Sequence, residues 1–194
     1  MKSTERRSRS AAASAIPGAA ALTSAAIALL RQHTSASRFE RLGAAALETL
    51  LNAIDANDPV TGAHVRRVAR YALVLADAME ADSHTCHTVE RVALFHDIGK
   101  IHEALFDVIH DNGRLDPHER REIRTHPVRG AKVLAPLAAF YPDLPKGVLA
   151  HHERWDGSGY PRRLRKKAIP LSARIVAIAD TFDAITHSRR YRPG

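Results

Sequence analysis

Residues 151–161 are HHERWDGSGYP, a pair of adjacent histidines followed at once by a loop rich in turn-forming residues. The residues before this loop, from about Leu144 to Glu153, have the apolar spacing of a helix. Gly157, Gly159 and Pro161 predict a tight loop just beyond that helix. The segment therefore brings two imidazoles, the commonest metal-binding side chains, to the edge of a loop.

Further histidines and aspartates occur singly or as an adjacent pair, and each such position lies on or beside a different predicted helix, so that five helices would converge on one point. With the pair at 151 and 152 they form a set of seven residues: His64, His96, Asp97, His126, His151, His152 and Asp180. Imidazole nitrogens and carboxylate oxygens suit divalent iron, manganese or zinc, and a carboxylate can bridge two ions. The set contains enough ligands for two metals in the core of a helical bundle.

The other seven of the chain's twelve histidines are interpreted as surface or hydrogen-bonded core groups, because a lone histidine on a helix usually is one. They are His33, His84, His87, His102, His110, His118 and His187.

Apolar residues recur at helical spacing along most of the chain, which predicts an all-α fold. The first helix is expected from about residue 38 to Asp58-Pro59, and the second directly after that turn. The third covers about Thr88 to Ile98. Asp116-Pro117-His118-Glu119 is typical of a capped helix start, so a fourth helix is expected to reach Leu134 with a kink at Pro127.

A last helix is expected from Ser172 to about His187, because apolar residues recur there with helical spacing. The residues expected to face inward are Ile175, Ile178, Ala179, Phe182 and Ile185.

Composition narrows the class of protein. The single cysteine, Cys86, excludes an internal disulfide and a CxxC zinc site, and favours a reducing, cytoplasmic location. The formal charge is +8, but seven basic residues against two acidic ones precede residue 42, which leaves +3 for the rest. A nucleic-acid polymer is therefore not the expected partner, since such binding needs many basic residues concentrated on one face.

Residues 1–40 form a basic segment rich in alanine and serine, which precedes the domain expected at 41–194. Residues 11–30 are uncharged and half alanine, but alanine drives membrane insertion weakly and Pro17-Gly18 interrupts a helix. A disordered or loosely helical tail is favoured over a membrane anchor.

Three segments in this order resemble the HD-GYP family: TGAHVRRV at 61–68, HDIGK at 96–100 and HHERWDGSGYP at 151–161. The resemblance continues through IPLSARI at 169–175 to DTFDA at 180–184, and covers about residues 45–194. The histidine pair with its loop is much more specific than the HD pair, which many nucleotide hydrolases share. The resemblance implies an HD-domain helical bundle that hydrolyses cyclic di-GMP.

The resemblance also implies roles for individual residues. All seven residues of the histidine and aspartate set would be metal ligands, with Asp97 bridging two ions and Lys100 beside the hydroxide that attacks phosphorus. Gly159, Tyr160 and Pro161 would line the substrate site or receive a cyclase or regulatory protein. Arg189 and Arg192 would clamp the scissile phosphates.

Structural alternatives remain for several of these residues. In these alternatives, Lys100 does no more than complement the dipole at a helix end, and the loop at 157–161 is a rigid turn without substrate contact. Arg189 and Arg192 would then belong to a solvated tail.

The sequence departs from the family pattern at several points. Val60 stands where some members have a glutamate that binds a third metal, which favours a dinuclear site. The expected metals are iron or manganese, with zinc, nickel or cobalt as alternatives. Residues 102–109 replace a usual turn, so substrate preference could differ. The chain stops before the helices that usually close the family domain, which implies a truncated domain or one completed by a partner.

Cyclic di-GMP hydrolysis to linear pGpG, and onward to GMP, is the expected activity. Two alternatives stay open: an HD phosphohydrolase of another nucleotide or phosphate ester, and a module that binds cyclic di-GMP or a protein without cleavage.

Overall fold

The computed structural model describes residues 19–101 and 116–187, with side chains from residue 38 onward. Within these ranges the chain forms seven α-helices and no strand, which confirms the all-α prediction. The helices are α1 Ala19–Asn57, α2 Pro59–Ala78, α3 Ser83–Phe95, α4 Pro117–Ile123, α5 His126–Leu134, α6 Leu144–Ala150 and α7 Leu171–Thr186. Short 3₁₀ turns lie at Ile98–Ile101, Ala135–Ala139 and Lys166–Ala168.

Helix α1 begins at Ala19, well before the residue 38 expected from the sequence. Alanine-rich residues follow Pro17-Gly18, and alanine is the strongest helix former, so the helix extends back towards that break. The chain divides into two units between Arg41 and Leu42, inside α1, and the description below concerns the second unit. None of the helices in the described residues is both long enough and apolar enough to cross a membrane.

Side-chain caps set the starts of α2 and α3. The Asp58 carboxylate accepts a hydrogen bond from Val60 N, and the Asp82 carboxylate accepts one from Thr85 N. The cap at Asp82 starts α3 at Ser83 rather than near Thr88, because it satisfies an otherwise unpaired N–H of the first turn.

The segment from Asp116 to Leu134 forms two helices rather than one kinked helix. The capping box at Asp116 and Glu119 is present as expected. The break falls at Arg124 and Thr125, and Pro127 becomes the second residue of α5. Proline removes an N–H donor and its ring collides with the carbonyl four residues earlier, which belongs to Ile123, so the helix stops completely there.

The core lies where α2, α3 and α7 pack together, with α6 and the end of α1 against them. Its fully buried residues include Ile54, Val68, Val89, Val92, Phe95, Leu144, Val148 and Val176. Along α7, Ile175 and Ala179 are buried as expected, but Ile178, Phe182 and Ile185 are 60%, 49% and 64% exposed. The buried face of α7 passes instead through Ala173, Val176 and the carboxylate of Asp183.

The inward prediction for Ile178, Phe182 and Ile185 was wrong because it followed the most apolar stripe of the helix. The helix is rotated so that its acidic residues face the bundle interior. A buried carboxylate is stable there only if it is paired, as described below for Asp183.

Gly99 brings the turn after α3 directly against the start of α5. A Cβ atom at residue 99 would collide with the carbonyl oxygen of His126 and lie 2.6 Å from the backbone nitrogen of Gly130. Backbone atoms cannot move aside as a flexible side chain can. This contact therefore holds residues 96 and 97 close to His126.

We expect Gly99→Ala to lower the free energy of unfolding by about 1–3 kcal/mol, because the added methyl group overpacks a backbone contact. Urea unfolding followed by circular dichroism measures the change. Gly43→Ala is the matched control, since its Cβ would meet mainly the side chains of Phe140 and Tyr141. Alanine favours the helix by about 1 kcal/mol over glycine, which offsets that contact. Equal urea midpoints for the two variants would contradict the packing argument.

Candidate metal centre

Four histidine rings are held by hydrogen bonds at Nδ1, and their Nε2 atoms face a common centre. His64 Nδ1 lies 2.7 Å from Oδ2 of Asp183, whereas the other three rings donate to the carbonyl oxygen three residues earlier in the chain. Those pairs are His96 with Ala93 at 2.8 Å, His126 with Ile123 at 2.6 Å and His151 with Val148 at 2.6 Å. A ring that donates from Nδ1 presents a lone pair at Nε2, as a metal ligand must.

Helix ends explain the positions of these rings. His96 and His151 follow the last residues of α3 and α6, and His126 is the first residue of α5. Carbonyl groups in the last turn of a helix have no partner further along the helix, so they accept from the imidazole. The ends of α3 and α6 and the start of α5 thereby place their histidine rings in one buried space.

The seven predicted residues form two adjacent groups in the structure. In each group the possible ligand atoms all lie within 4.8 Å of one another. One group contains Asp97, His126, His151 and His152, and the other contains His64, His96 and Asp180.

Asp97 lies between the two groups, with one carboxylate oxygen towards each. Its Oδ1 is 3.3 Å from His126 Nε2 and 4.0 Å from His151 Nε2. Its Oδ2 is 3.5 Å from His96 Nε2 and 3.8 Å from His64 Nε2. A carboxylate in this position can contact two ions at once.

The buried polar atoms fit a divalent metal. Among the described residues, Nε2 of His96 and Oδ1 of Asp97 are buried without a hydrogen-bond partner, which is costly unless something else binds them. The Nε2 atoms of His126 and His151 lie 3.1 Å apart, so their lone pairs face each other. Two nitrogens about 2.1 Å from one ion would be separated by roughly 3.0–3.4 Å, which agrees with this distance.

For three of the histidines and for the two carboxylates, the electrostatics favour the protonation states that metal binding requires. The pKa of His64 is instead raised, because contacts with Asp180, Asp97 and Asp183 outweigh its burial. Burial, helped by neighbouring positive groups, lowers the pKa of His126, His151 and His152 to about 3, so these rings are neutral near pH 7. Burial alone would raise the pKa of Asp97, but the charge of Lys100, followed by His96 and His64, holds it well below its usual value. The pKa of Asp180 is likewise lowered, because its contact with His64 outweighs its burial.

Lys100 lies in the 3₁₀ turn after Asp97, and its Nζ donates to Asp97 Oδ2 at 2.6 Å. The side chain is only 24% exposed. Lys100 thus contacts the central carboxylate itself, which goes beyond a lysine that only complements a helix end.

Sequence reasoning missed Asp183 and Arg67, which support His64. Asp183 is fully buried, and Arg67 Nε donates to its Oδ1 at 2.7 Å while His64 Nδ1 donates to its Oδ2. Burial would raise the pKa of Asp183, but these two contacts outweigh burial and lower it. The available signal was spacing, since Asp180 and Asp183 lie three residues apart on one helix face, as do His64 and Arg67.

The loop at 153–164 folds back onto the histidine pair through a third residue that the sequence analysis missed, Glu153. Its buried carboxylate accepts hydrogen bonds from Arg162 N at 2.7 Å and Leu164 N at 2.9 Å. A Cβ atom at Gly159 would collide with the backbone of residues 152–154, so only glycine permits this close approach. The next residue, Tyr160, stacks on His152 with ring centroids 4.8 Å apart.

A cleft of about 410 Å³ opens between this loop and the metal-binding residues. Its lining residues include His151, His152 and Asp180 from the cluster and Gly159 and Tyr160 from the loop. The predicted loop residues Gly159 and Tyr160 therefore border the same space as the candidate ligands, whereas Pro161, the third predicted loop residue, is not among the lining residues.

The remaining predictions concern the two phosphate-binding arginines and the histidines outside the ligand set. Arg189 and Arg192 lie outside the described residues. His84, His87 and His118 are exposed, and His187 is partly exposed, 3.3 Å from Asp183. Those four histidines thus have the surface position expected of them.

A helical bundle with buried imidazoles and carboxylates at its centre defines a metal-binding helical domain. A family model described as HD domain matches residues 48–194, and the chain belongs to this family. The HD-GYP resemblance stated from the sequence is confirmed by the relatives of the chain.

Two curated relatives and one solved structure illustrate the similarity. The chain is 39% identical over 145 residues to 3'3'-cGAMP-specific phosphodiesterase 2 of Vibrio cholerae, covering 74% of this chain and 27% of that protein. It is 37% identical over 148 residues to the cyclic di-GMP phosphodiesterase response regulator RpfG of Xanthomonas campestris, covering 75% and 39%. The chain thus spans about a quarter to two fifths of these relatives.

The solved structure is Bd1817, an HDG"Y"P protein from Bdellovibrio bacteriovorus. It superposes with a TM-score of 0.57 at 22% identity, over 66% of this chain and 42% of that one. The two chains therefore share a fold.

We expect Asp183→Asn to weaken metal binding by about 10- to 100-fold, because an amide holds the His64 ring and its tautomer less firmly than a carboxylate. Titration of Mn²⁺ against a competing chelator measures the change. Asp77→Asn, at an exposed position on the same helix as His64, is the control and should bind like the wild type. Unchanged Mn²⁺ affinity in Asp183→Asn would show that Asp183 does not support a ligand.

Proposed function

We propose that this chain is a metal-dependent phosphodiesterase that hydrolyses cyclic di-GMP to linear pGpG and onward to GMP. The observation that carries the proposal is the position of Asp97, with one carboxylate oxygen towards each of two groups of metal-binding side chains. Hydrolysis of phosphodiesters by paired divalent ions uses such an arrangement. The cleft beside the two groups provides room for a substrate.

The donor set supports two ions, with iron or manganese as the first choice and zinc, nickel or cobalt as alternatives. One ion would be held by His126, His151 and His152, the other by His64, His96 and Asp180, with Asp97 shared. Bound divalent ions supply an activated water and offset negative charge on phosphoryl oxygens.

The chain's own side chains would hold and orient the substrate. Lys100 places a positive charge beside Asp97, where it would attract a phosphate oxygen. Burial raises the pKa of Tyr160, so its hydroxyl stays protonated and can donate a hydrogen bond into the cleft. The 153–164 loop, held by Glu153, would exclude water from one side of the bound substrate.

The choice of substrate rests on the relatives. RpfG is a cyclic di-GMP phosphodiesterase, and the Vibrio cholerae relative acts specifically on 3'3'-cGAMP. Both substrates are cyclic dinucleotides with two phosphodiester bonds. The alternative candidate substrate is 3'3'-cGAMP, because the chain is 39% identical to the Vibrio cholerae enzyme specific for it.

The loop also offers a surface for a cyclase or regulatory protein. Trp155, near the start of the loop, is 54% exposed. The Arg174 guanidinium lies over the Trp155 ring, 5.8 Å from the ring centroid. An exposed aromatic ring beside arginine is typical of a protein contact.

After reconstitution with Mn²⁺ or Fe²⁺ under reducing conditions, we expect the protein to convert cyclic di-GMP to pGpG and GMP. Chromatography of the reaction products measures this conversion. Parallel reactions with 3'3'-cGAMP and with mononucleotides separate the two cyclic dinucleotides from other phosphate esters. Tight binding of cyclic di-GMP without product would contradict hydrolysis and favour a binding module.

We expect His96→Ala and Asp97→Ala to lose bound metal and hydrolysis together, because each removes a side chain from the centre of the cluster. Elemental analysis gives the metal content and the product assay gives the activity. His87→Ala, an exposed histidine on the helix that precedes His96, should retain both. Full metal stoichiometry in Asp97→Ala would rule out a bridging role for this carboxylate.

A further inference from the structure

The cleft is lined by cations as well as by candidate metal ligands. Its lining includes His151, His152 and Asp180 from the cluster, and Arg124 and Arg154, its two described cations. The remaining lining acid, Glu153, already accepts from two backbone N–H groups of the loop. The arginines therefore make part of the cleft wall suited to an anion.

Arg124, an exposed side chain, stacks on the loop. Its guanidinium lies over the Tyr160 ring at 4.6 Å from the centroid, and Tyr160 in turn stacks on His152. A column of three planar groups thus connects the arginine to a candidate metal ligand. Stacking holds the guanidinium plane in place and leaves the N–H groups on its edge available.

The backbone also ties Arg124 to the cluster. Arg124 N donates to the Arg120 carbonyl at 3.2 Å and ends α4, and His126 begins α5 two residues later. Within the described ranges no carboxylate pairs with Arg124. An arginine held in place with its donors unused is prepared to bind a phosphate through two hydrogen bonds.

We propose that Arg124 determines specificity by binding the second, uncleaved phosphate of a cyclic dinucleotide while the first phosphate lies at the metal-binding residues. The inference rests on the proposed function, since it assumes a substrate with two phosphates. A diester with a single phosphate would occupy only the metal-binding residues and would leave Arg124 without a phosphate. Arg124 thus distinguishes cyclic dinucleotides from simple phosphodiesters.

The test compares wild type and Arg124→Gln on two substrates after Mn²⁺ reconstitution. For cyclic di-GMP we expect KM to rise roughly 10- to 100-fold, the effect of losing a charge-assisted hydrogen bond. For bis(p-nitrophenyl) phosphate, which has one phosphate, we expect kcat/KM to change by less than about threefold. Arg124→Lys keeps the charge but loses the planar guanidinium group. Its KM for cyclic di-GMP should therefore lie between those of the wild type and Arg124→Gln.

Arg121→Gln is the matched control, because Arg121 is an exposed arginine on the same helix and does not line the cleft. It should behave like the wild type on both substrates. Equal losses on both substrates in Arg124→Gln, or a lower metal content, would mean that Arg124 only supports the fold around His126. Unchanged kinetics on cyclic di-GMP would also overturn the proposal.

Binding of cyclic di-GMP by calorimetry keeps this inference separate from the proposed function. A wild type that binds but does not cleave the dinucleotide contradicts the proposed hydrolysis, and weaker binding by Arg124→Gln would still support the role of Arg124. A wild type that neither binds nor cleaves any cyclic dinucleotide contradicts both proposals.

Discussion

The structure depends on one buried carboxylate. Asp97 is 5% exposed and is surrounded by imidazole nitrogens, with Lys100 as its cationic partner. A charge in such a position is stable only if it is paired or binds a metal, and His126 and His151 present lone pairs to it rather than protons. The surrounding helices must therefore bring ligand atoms to both sides of this carboxylate, and the close backbone contact at Gly99 keeps it near His126.

The sequence was sufficient to predict the residues that converge. The seven candidate ligands have side-chain chemistry suited to metals and come from five different helices or their ends, and the structure brings them into two adjacent groups. Local rules also located the capping box at Asp116, because that signal depends only on neighbouring residues. The role of each ligand remains a prediction that the proposed metal analyses test.

What the sequence could not provide was the partner of each polar group. Asp183 lies 119 residues from His64 in the chain, so no local pattern connects the two. The same limit explains the error on α7, where hydrophobicity favoured Ile178, Phe182 and Ile185 over a face that contains Asp183. Likewise, Glu153 resembled any glutamate after a histidine pair until the loop amides it binds were located.

The anchoring of three imidazoles on main-chain carbonyls at helix ends has a thermodynamic consequence. Fraying of the last turn of α3 or α6, or of the residues before α5, would release a ligand ring at the same time. Occupancy of the centre and local order at these termini are thus linked equilibria, and bound ions would tighten three separate helix ends simultaneously. Cations in this bundle would act as cross-links between segments that are distant in the chain.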